Sequence, residues 1–294
     1  MLKYWICWVN DMKTLSTVHG AISIVNAIAT GQGSALGISL ETCAEVTLTS
    51  DNLVEVIINN DKSENTGLAQ ECFKLVKMKT SESCGAKITV NSDIPIGRGL
   101  KSSSAAATAI ILSCLKAFEI VMTEKEILDL SVQASKNSGV TITGALDDAA
   151  ACFLGGLVVT NNLSNELLSR VIVDDDYSIL IHVPDHKSYT KDVNYSGSDE
   201  FIHSLDTLIS MTLEGNYLSA MSLNGMIYSR ILKQSNESAI LALKNNALAA
   251  GLSGTGPSVG VICLSENKSS ILDSWKNLDG DIITAKINNE KGLI

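Results

Sequence analysis

The sequence predicts an α+β chain of 294 residues arranged in two halves. Three observations carry this expectation. Short strand-like runs are interspersed with helical periodicities, the 21 glycines gather in a few loops, and a polar stretch at 161–165 separates two regions of this mixed character. The length suits one large or two medium domains. With 45% hydrophobic and only 18% charged residues, the chain is too apolar to be disordered.

In chain order, residues 14–20 and 35–40 read as short strands. Residues 45–48 and 53–58 read as the arms of a hairpin across Ser50, Asp51 and Asn52. Leu68, Cys72, Leu75 and Val76 recur at helical spacing within 68–78. Residues 86–90 form another strand, which runs into a loop at 91–101. From 103 to 118 the apolar residues are nearly continuous, but the alanines and the length favour a buried helix. Thr123, followed three residues later by Glu126, is a capping box that starts a helix reaching about Asn137, and Gly139 ends it. Gly155 and Gly156 precede a strand at 157–160, and the boundary at 161–165 divides the chain into domains 12–162 and 163–294. The second half reads as a strand at 178–183, helices at 201–213, 217–232 and 238–249, a Gly-rich turn, and strands at 258–264 and 281–287.

Composition excludes several function classes. With 22 basic against 32 acidic residues the net charge is −10, which argues against nucleic acid or an anionic membrane surface as partner. A small anion is still admissible, since one local cluster of donors binds it whatever the global charge. No apolar run reaches the ~18 residues of a membrane span, and the best, at 105–115, is broken by Lys116. Residues 1–9, with Trp5 and Trp8, lack the features of a signal peptide, and Met12 is an alternative start. Seven cysteines without a Cys-x-x-Cys spacing point to neither a disulfide framework nor a zinc site, so a reduced, cytoplasmic protein is expected.

The segment Pro95-Ile96-Gly97-Arg98-Gly99-Leu100-Lys101-Ser102-Ser103-Ser104-Ala105 places glycines, two cations and three hydroxyls at the start of the buried helix. Each feature suits a phosphate. Glycines allow close backbone approach, free N–H groups and the helix dipole favour an anion, and hydroxyls donate hydrogen bonds or ligate a phosphate-bound metal. The segment matches neither the Walker pattern nor the Gly-x-Gly-x-x-Gly fingerprint. Downstream, Thr143-Gly144-Ala145-Leu146-Asp147-Asp148 puts two adjacent carboxylates in an otherwise apolar stretch. Such acids are costly to bury unless paired or functional. They read either as helix-start acids or as a base for phosphoryl transfer.

The Gly/Ser segment resembles the second motif of the GHMP kinase superfamily, Pro-x-x-x-Gly-Leu-Gly-Ser-Ser-Ala. Its Gly-Leu-Lys-Ser-Ser-Ser form, with Lys101 in place of the third glycine, is similar to that of the archaeal-type shikimate kinases. Gly251-Leu252-Ser253-Gly254-Thr255-Gly256-Pro257-Ser258 resembles the third motif, a turn that buttresses the phosphate loop. His19-Gly20-Ala21 and the stretch from Asn26 to Ala35 resemble the substrate-side motif. The resemblance implies a ribosomal protein S5 domain 2-like first domain and a ferredoxin-like second domain, and ATP-dependent phosphorylation of shikimate. It implies nucleotide contacts from Pro95, from Gly97 through Ala105 and from Gly254 and Gly256, and acceptor contacts from His19, Gly20, Ala21, Asn26, Thr143 and Gly144.

Counting back from Gly155, the family's catalytic base falls on Asp148, with Asp147 as its neighbour and Lys101 or Arg98 neutralising phosphate. The helix carboxylate that often holds magnesium in this superfamily has no counterpart among Gln133, Ala134, Ser135, Lys136 and Asn137. Mg2+ is left to Ser103 or Ser104, the phosphates and water, with an Asp of the pair as an option. Homoserine kinase is the nearest alternative enzyme, and a non-catalytic nucleotide sensor the alternative of another class. A monomer and a homodimer are both open. Lys187-Ser188-Tyr189-Thr190-Lys191 resembles a substrate-facing stretch, or is an exposed loop. His182 and His186, with Pro184 between them, read as structural or surface residues rather than a metal pair, and Asp174-Asp175-Asp176 as a solvated turn.

Overall fold

The structure, a computed structural model, describes residues 13–61, 64–174, 176–188, 195 and 198–293. It contains two sheets. The first is built from β1 (Thr14–Val25), β2 (Gln32–Thr49), β3 (Val54–Ile58), β4 (Gly85–Ser92), β5 (Leu157–Asn161) and β6 (Glu166–Val171). Its order is β3-β4-β2-β5-β6, with β1 also paired along the long β2. The second is built from β7 (Tyr177–Val183), β8 (Ala249–Leu252), β9 (Val259–Leu264) and β10 (Asp281–Lys286), in the order β10-β7-β9-β8. Counted within that half, the antiparallel order 4-1-3-2 with helices after the first and third strands is ferredoxin-like.

Against the first sheet pack α1 (Gly67–Lys77), α2 (Ser102–Ala117) and α4 (Leu146–Leu154), and α3 (Glu124–Asn137) packs on these three helices. The near-continuous apolar run makes α2 the central helix. From Ser104 to Leu115 every residue except Ala106 is buried, and α2 touches β1, β2, α1, α3 and α4. The capping box of α3 is present, with Thr123 N–H donating to Glu126 Oε2 at 2.8 Å and Glu126 N–H to Thr123 Oγ1 at 3.3 Å. Helices α5 (Ile202–Leu213), α6 (Tyr217–Ile231), α7 (Glu237–Lys244) and α8 (Lys268–Ser274) belong to the second half. One core runs through both halves, and a smaller cluster around Trp275, Ile271 and Val261 lies under α7 and α8.

The structure corrects several local expectations. Residues 35–40 and 45–48 belong to one strand, β2, which does not form a hairpin with β3. β4 lies between them, antiparallel to β2 and parallel to β3, because α1 carries the chain back across the sheet. The polar stretch at 161–165 is the turn joining β5 to β6, so the change of sheet comes after Val171. The helix expected to reach residue 249 ends at Lys244, and Ala249 already pairs with Ile262 in β8. The strand β6 and the helices α4 and α8 had no periodic signal long enough to detect. Trp5, Trp8, Met12, Asp175 and residues 189–191 lie outside the described residues.

Candidate active site

The loop before α2 is shaped by left-handed backbone. Gly97, Gly99 and Lys101 have φ of 68°, 77° and 68°. At Gly99 only glycine fits, because a Cβ would collide with the Ser253 carbonyl. The turn at 251–258 holds this loop through a chain of hydroxyl bonds. Ser253 Oγ donates to Gly99 O at 2.7 Å and accepts from Ser23 N–H at 3.1 Å, while Ser23 Oγ accepts from Gly254 N–H at 2.9 Å. The expected buttress is therefore built from β1 as well as from the turn.

Lys101 stands at the N-cap of α2, where the family motif has glycine. For a lysine the left-handed conformation costs roughly 1–2 kcal/mol. Its compensation is a short ion pair, Lys101 Nζ to Asp148 Oδ1 at 2.8 Å, with the two side chains 7% and 19% exposed. Asp147 and Asp148 occupy the first turn of α4, where the helix dipole favours acids. Burial would lower the Lys101 pKa, but the carboxylates of Asp148 and Asp147 outweigh it and hold the ammonium above its ordinary range.

Asp147 is 4% exposed and fits against the bare backbone of Gly33, where a Cβ would strike its carboxylate. Burial first, and then the charge of Asp148, push its pKa up from 3.8 to about 6, against the pull of Lys101 and of a hydrogen bond from Asn162. A folded-state pKa above the unfolded one means the group costs stability where both states are ionised. The cost is absent below about pH 4, grows toward pH 6 and is constant above. Asp147→Asn is therefore expected to be more stable than the wild type in urea melts at pH 7.5 without nucleotide or metal, with the gain shrinking at pH 4.5. No gain at pH 7.5 contradicts this account.

Lys101, Asp147, Asp148 and the three serines Ser102 to Ser104 line one cavity of about 610 Å3, within the range of small-molecule sites. Ile58, Leu68, Val90 and Ile110 give it an apolar lining from β3, α1, β4 and α2. Asn26, Thr143, Gly254 and Thr255 add polar groups. Gly97 and Gly99 also reach the cavity, whereas Leu100 and Ala105 are core residues facing the other way. Pro95 and Gly256 do not line it.

Arg98 does not face the cavity. Its guanidinium donates to the carbonyls of Pro184, Asp185 and His186, and Ser188 N–H donates to Gly97 O at 2.9 Å. A fixed guanidinium between three backbone acceptors is a tether between the halves, and of the two loop cations Lys101 lines the cavity. Of the expected acceptor contacts, Asn26 and Thr143 line the cavity. His19 instead pairs across β1 and β2 with Glu41 at 3.8 Å, and Gly20 and Ala21 are packed in the sheet, Gly20 against Ile94. Gly144 lies against Lys136 of α3. His182 Nε2 and His186 Nε2 have separate partners, Asp279 O and Gln234 Oε1. Of the described cysteines, all but Cys43 are buried. Sequence reasoning missed Asn162, a buried amide between Asp147 and Thr143. It lies in a polar turn and matches no motif.

The donors around the loop, hydroxyls and carboxylates, are hard oxygens suited to Mg2+. Among the described residues no cluster of three His, Cys, Asp or Glu side chains could form an all-protein cage. Among the described residues no helix is long and apolar enough to cross a membrane.

The family described as the GHMP kinases N terminal domain matches residues 67–156, the stretch from α1 through the Gly/Ser loop to Gly156. The whole chain superposes on a homoserine kinase from Cytophaga hutchinsonii with a TM-score of 0.77 at 15% identity, covering 99% of each chain. It superposes on the mevalonate kinase of Methanococcus jannaschii with 0.74 at 16% identity, covering 95% of this chain and 98% of that one. The fold is thus the one these GHMP-type structures share, and the family model matches within its first half. Relatives named shikimate kinase extend the match to nearly full length. That of Methanothrix thermoacetophila is 37% identical, covering 95% of each chain, and that of Methanothermobacter thermautotrophicus 38%, covering 92% of this chain and 94% of that one. The chain belongs to this shikimate kinase family of GHMP kinases.

Proposed function

We propose that this protein transfers the γ-phosphoryl group of ATP to a ring hydroxyl of shikimate, giving shikimate 3-phosphate. The observation that carries the reading is the Lys101–Asp148 pair set beside the Gly/Ser loop in a single cavity. The loop and the N-terminus of α2 offer unpaired N–H groups to the phosphates. Asp148 accepts the proton of the attacking hydroxyl. Lys101, kept protonated by the two carboxylates, balances charge on the transferring group. Transfer through a loose transition state asks for little more than this positioning and neutralisation. Mg2+, when bound, neutralises phosphate charge, and the hydroxyls of Ser103 and Ser104 are its protein ligands in this reading. The halves divide between β6, which ends at Val171, and β7, which begins at Tyr177, and the enzyme acts in the cytoplasm, in aromatic amino acid biosynthesis.

A substrate panel tests the reading. Purified protein with MgATP is expected to release ADP with shikimate at least a hundredfold faster than with homoserine or mevalonate. Turnover of homoserine alone overturns the assignment of acceptor while leaving that of the phosphate loop.

A further inference from the structure

The polar turn between β5 and β6 carries a residue with an unusually complete set of bonds. Asn162 is 1% exposed. Its backbone N–H donates to Gly31 O at 2.7 Å, and its Oδ1 accepts from Thr160 Oγ1 at 2.7 Å. Its Nδ2 donates both to Asp147 Oδ1 at 2.8 Å and to Thr143 Oγ1 at 3.0 Å. One amide therefore joins a carboxylate behind the Lys101–Asp148 pair to a hydroxyl on the cavity wall.

The consequence lies in the hydrogen-bond capacity of Thr143. A hydroxyl has one proton to give and two lone pairs to fill. Its lone pairs receive Asn162 Nδ2 and, more weakly, Ala145 N–H at 3.4 Å. Among the described residues no protein acceptor takes its proton, and Thr143 is only partly buried where it lines the cavity. We propose that Asn162 is a positioning residue for the acceptor substrate, holding Thr143 as a hydrogen-bond donor to a carboxylate or hydroxyl oxygen of that substrate. The adjacent Asp147 is anchored by the same nitrogen, so the donor is held in register with the reacting pair. A carboxylate-bearing polyol such as shikimate presents such oxygens; the inference rests on the functional reading above for the identity of the acceptor.

A double-mutant cycle tests it. Thr143→Val and Asn162→Leu are each expected to raise KM for shikimate about tenfold, while the Kd for ATP stays within about twofold, and Thr143→Ser retains most of the wild-type KM. Because Asn162 acts through Thr143, the double variant is expected to be no worse than Asn162→Leu alone, rather than a hundredfold impaired. Asn162→Asp, nearly isosteric but without the N–H donors, serves as the second variant where leucine prevents folding, and the same KM effect is expected of it. Additive losses, or equal damage to ATP affinity and acceptor KM, overturn the proposal. Wild-type protein inert toward shikimate sinks the functional reading instead, and the cycle is then read on the acceptor that the substrate panel identifies.

Discussion

Asp148→Asn is expected to lower kcat for shikimate about a thousandfold and to leave ATP affinity within about twofold of the wild type. Asparagine fills the same volume and keeps an oxygen facing Lys101 Nζ, which sits 2.8 Å from Asp148 Oδ1. The loop, α2 and the serines are therefore undisturbed, and what disappears is the capacity to take a proton. General-base catalysis is worth about 10²–10⁴ in rate, and the hydroxyl of a cyclic alcohol is a poor nucleophile without it. The check is steady-state ADP release beside equilibrium binding of a fluorescent ATP analogue. An unchanged kcat removes Asp148 from the chemistry, and collapse of ATP binding makes it a structural support of the loop. A pure nucleotide sensor behaves differently from both, since the wild type then shows no shikimate-dependent ADP release at all.

How much of this was legible in the sequence depended on the range of the interaction. The capping box at Thr123 and Glu126 is a local device and was placed correctly. So was the buried helix after the Gly/Ser loop, where alanine density and length decide the conformation. The pairing of β3 with β4 was not legible, because a turn signal at 50–52 looks the same whether the next strand returns alongside or goes to a different neighbour. Arg98 shows the same limit on the scale of a side chain. A cation in a phosphate loop is read as a phosphate ligand, but the residue meets the carbonyls of Pro184 to His186, some ninety positions away, before it meets the cavity. Asn162 is the opposite case, a polar residue in an apparent linker whose buried partners come from α4 and the loop before it. Adjacent Asp147 and Asp148 stood out because two acids among alanines are costly. The ion pair that resolves this cost joins residues 101 and 148, a separation at which sequence carries no pairing signal.

Removing Lys101 is expected to have the second large effect, and it separates the roles of its backbone and side chain. Lys101→Met leaves two carboxylates at the start of α4 without their cation. Loss of one partner from a buried pair costs about 3–5 kcal/mol, and urea unfolding at pH 7.5 is expected to show a loss of that order. Catalysis is expected to fall about a hundredfold or more, since no other described cationic side chain lines the cavity to balance charge on the transferring phosphoryl. Lys101→Gly removes the same charge but suits the left-handed φ of 68°, so it is expected to be about 1 kcal/mol more stable than Lys101→Met while equally slow. Adding Asp147→Asn to Lys101→Met removes one of the two uncompensated charges, so stability is expected to recover in part and turnover to stay low. The four proteins therefore dissociate folding from chemistry, because the glycine and asparagine changes repair the first without restoring the second. Wild-type kcat and stability in Lys101→Met would show that the lysine is merely solvated. Recovery of turnover in the double variant would show that Lys101 acts only by relieving repulsion between the carboxylates, rather than on the phosphoryl group.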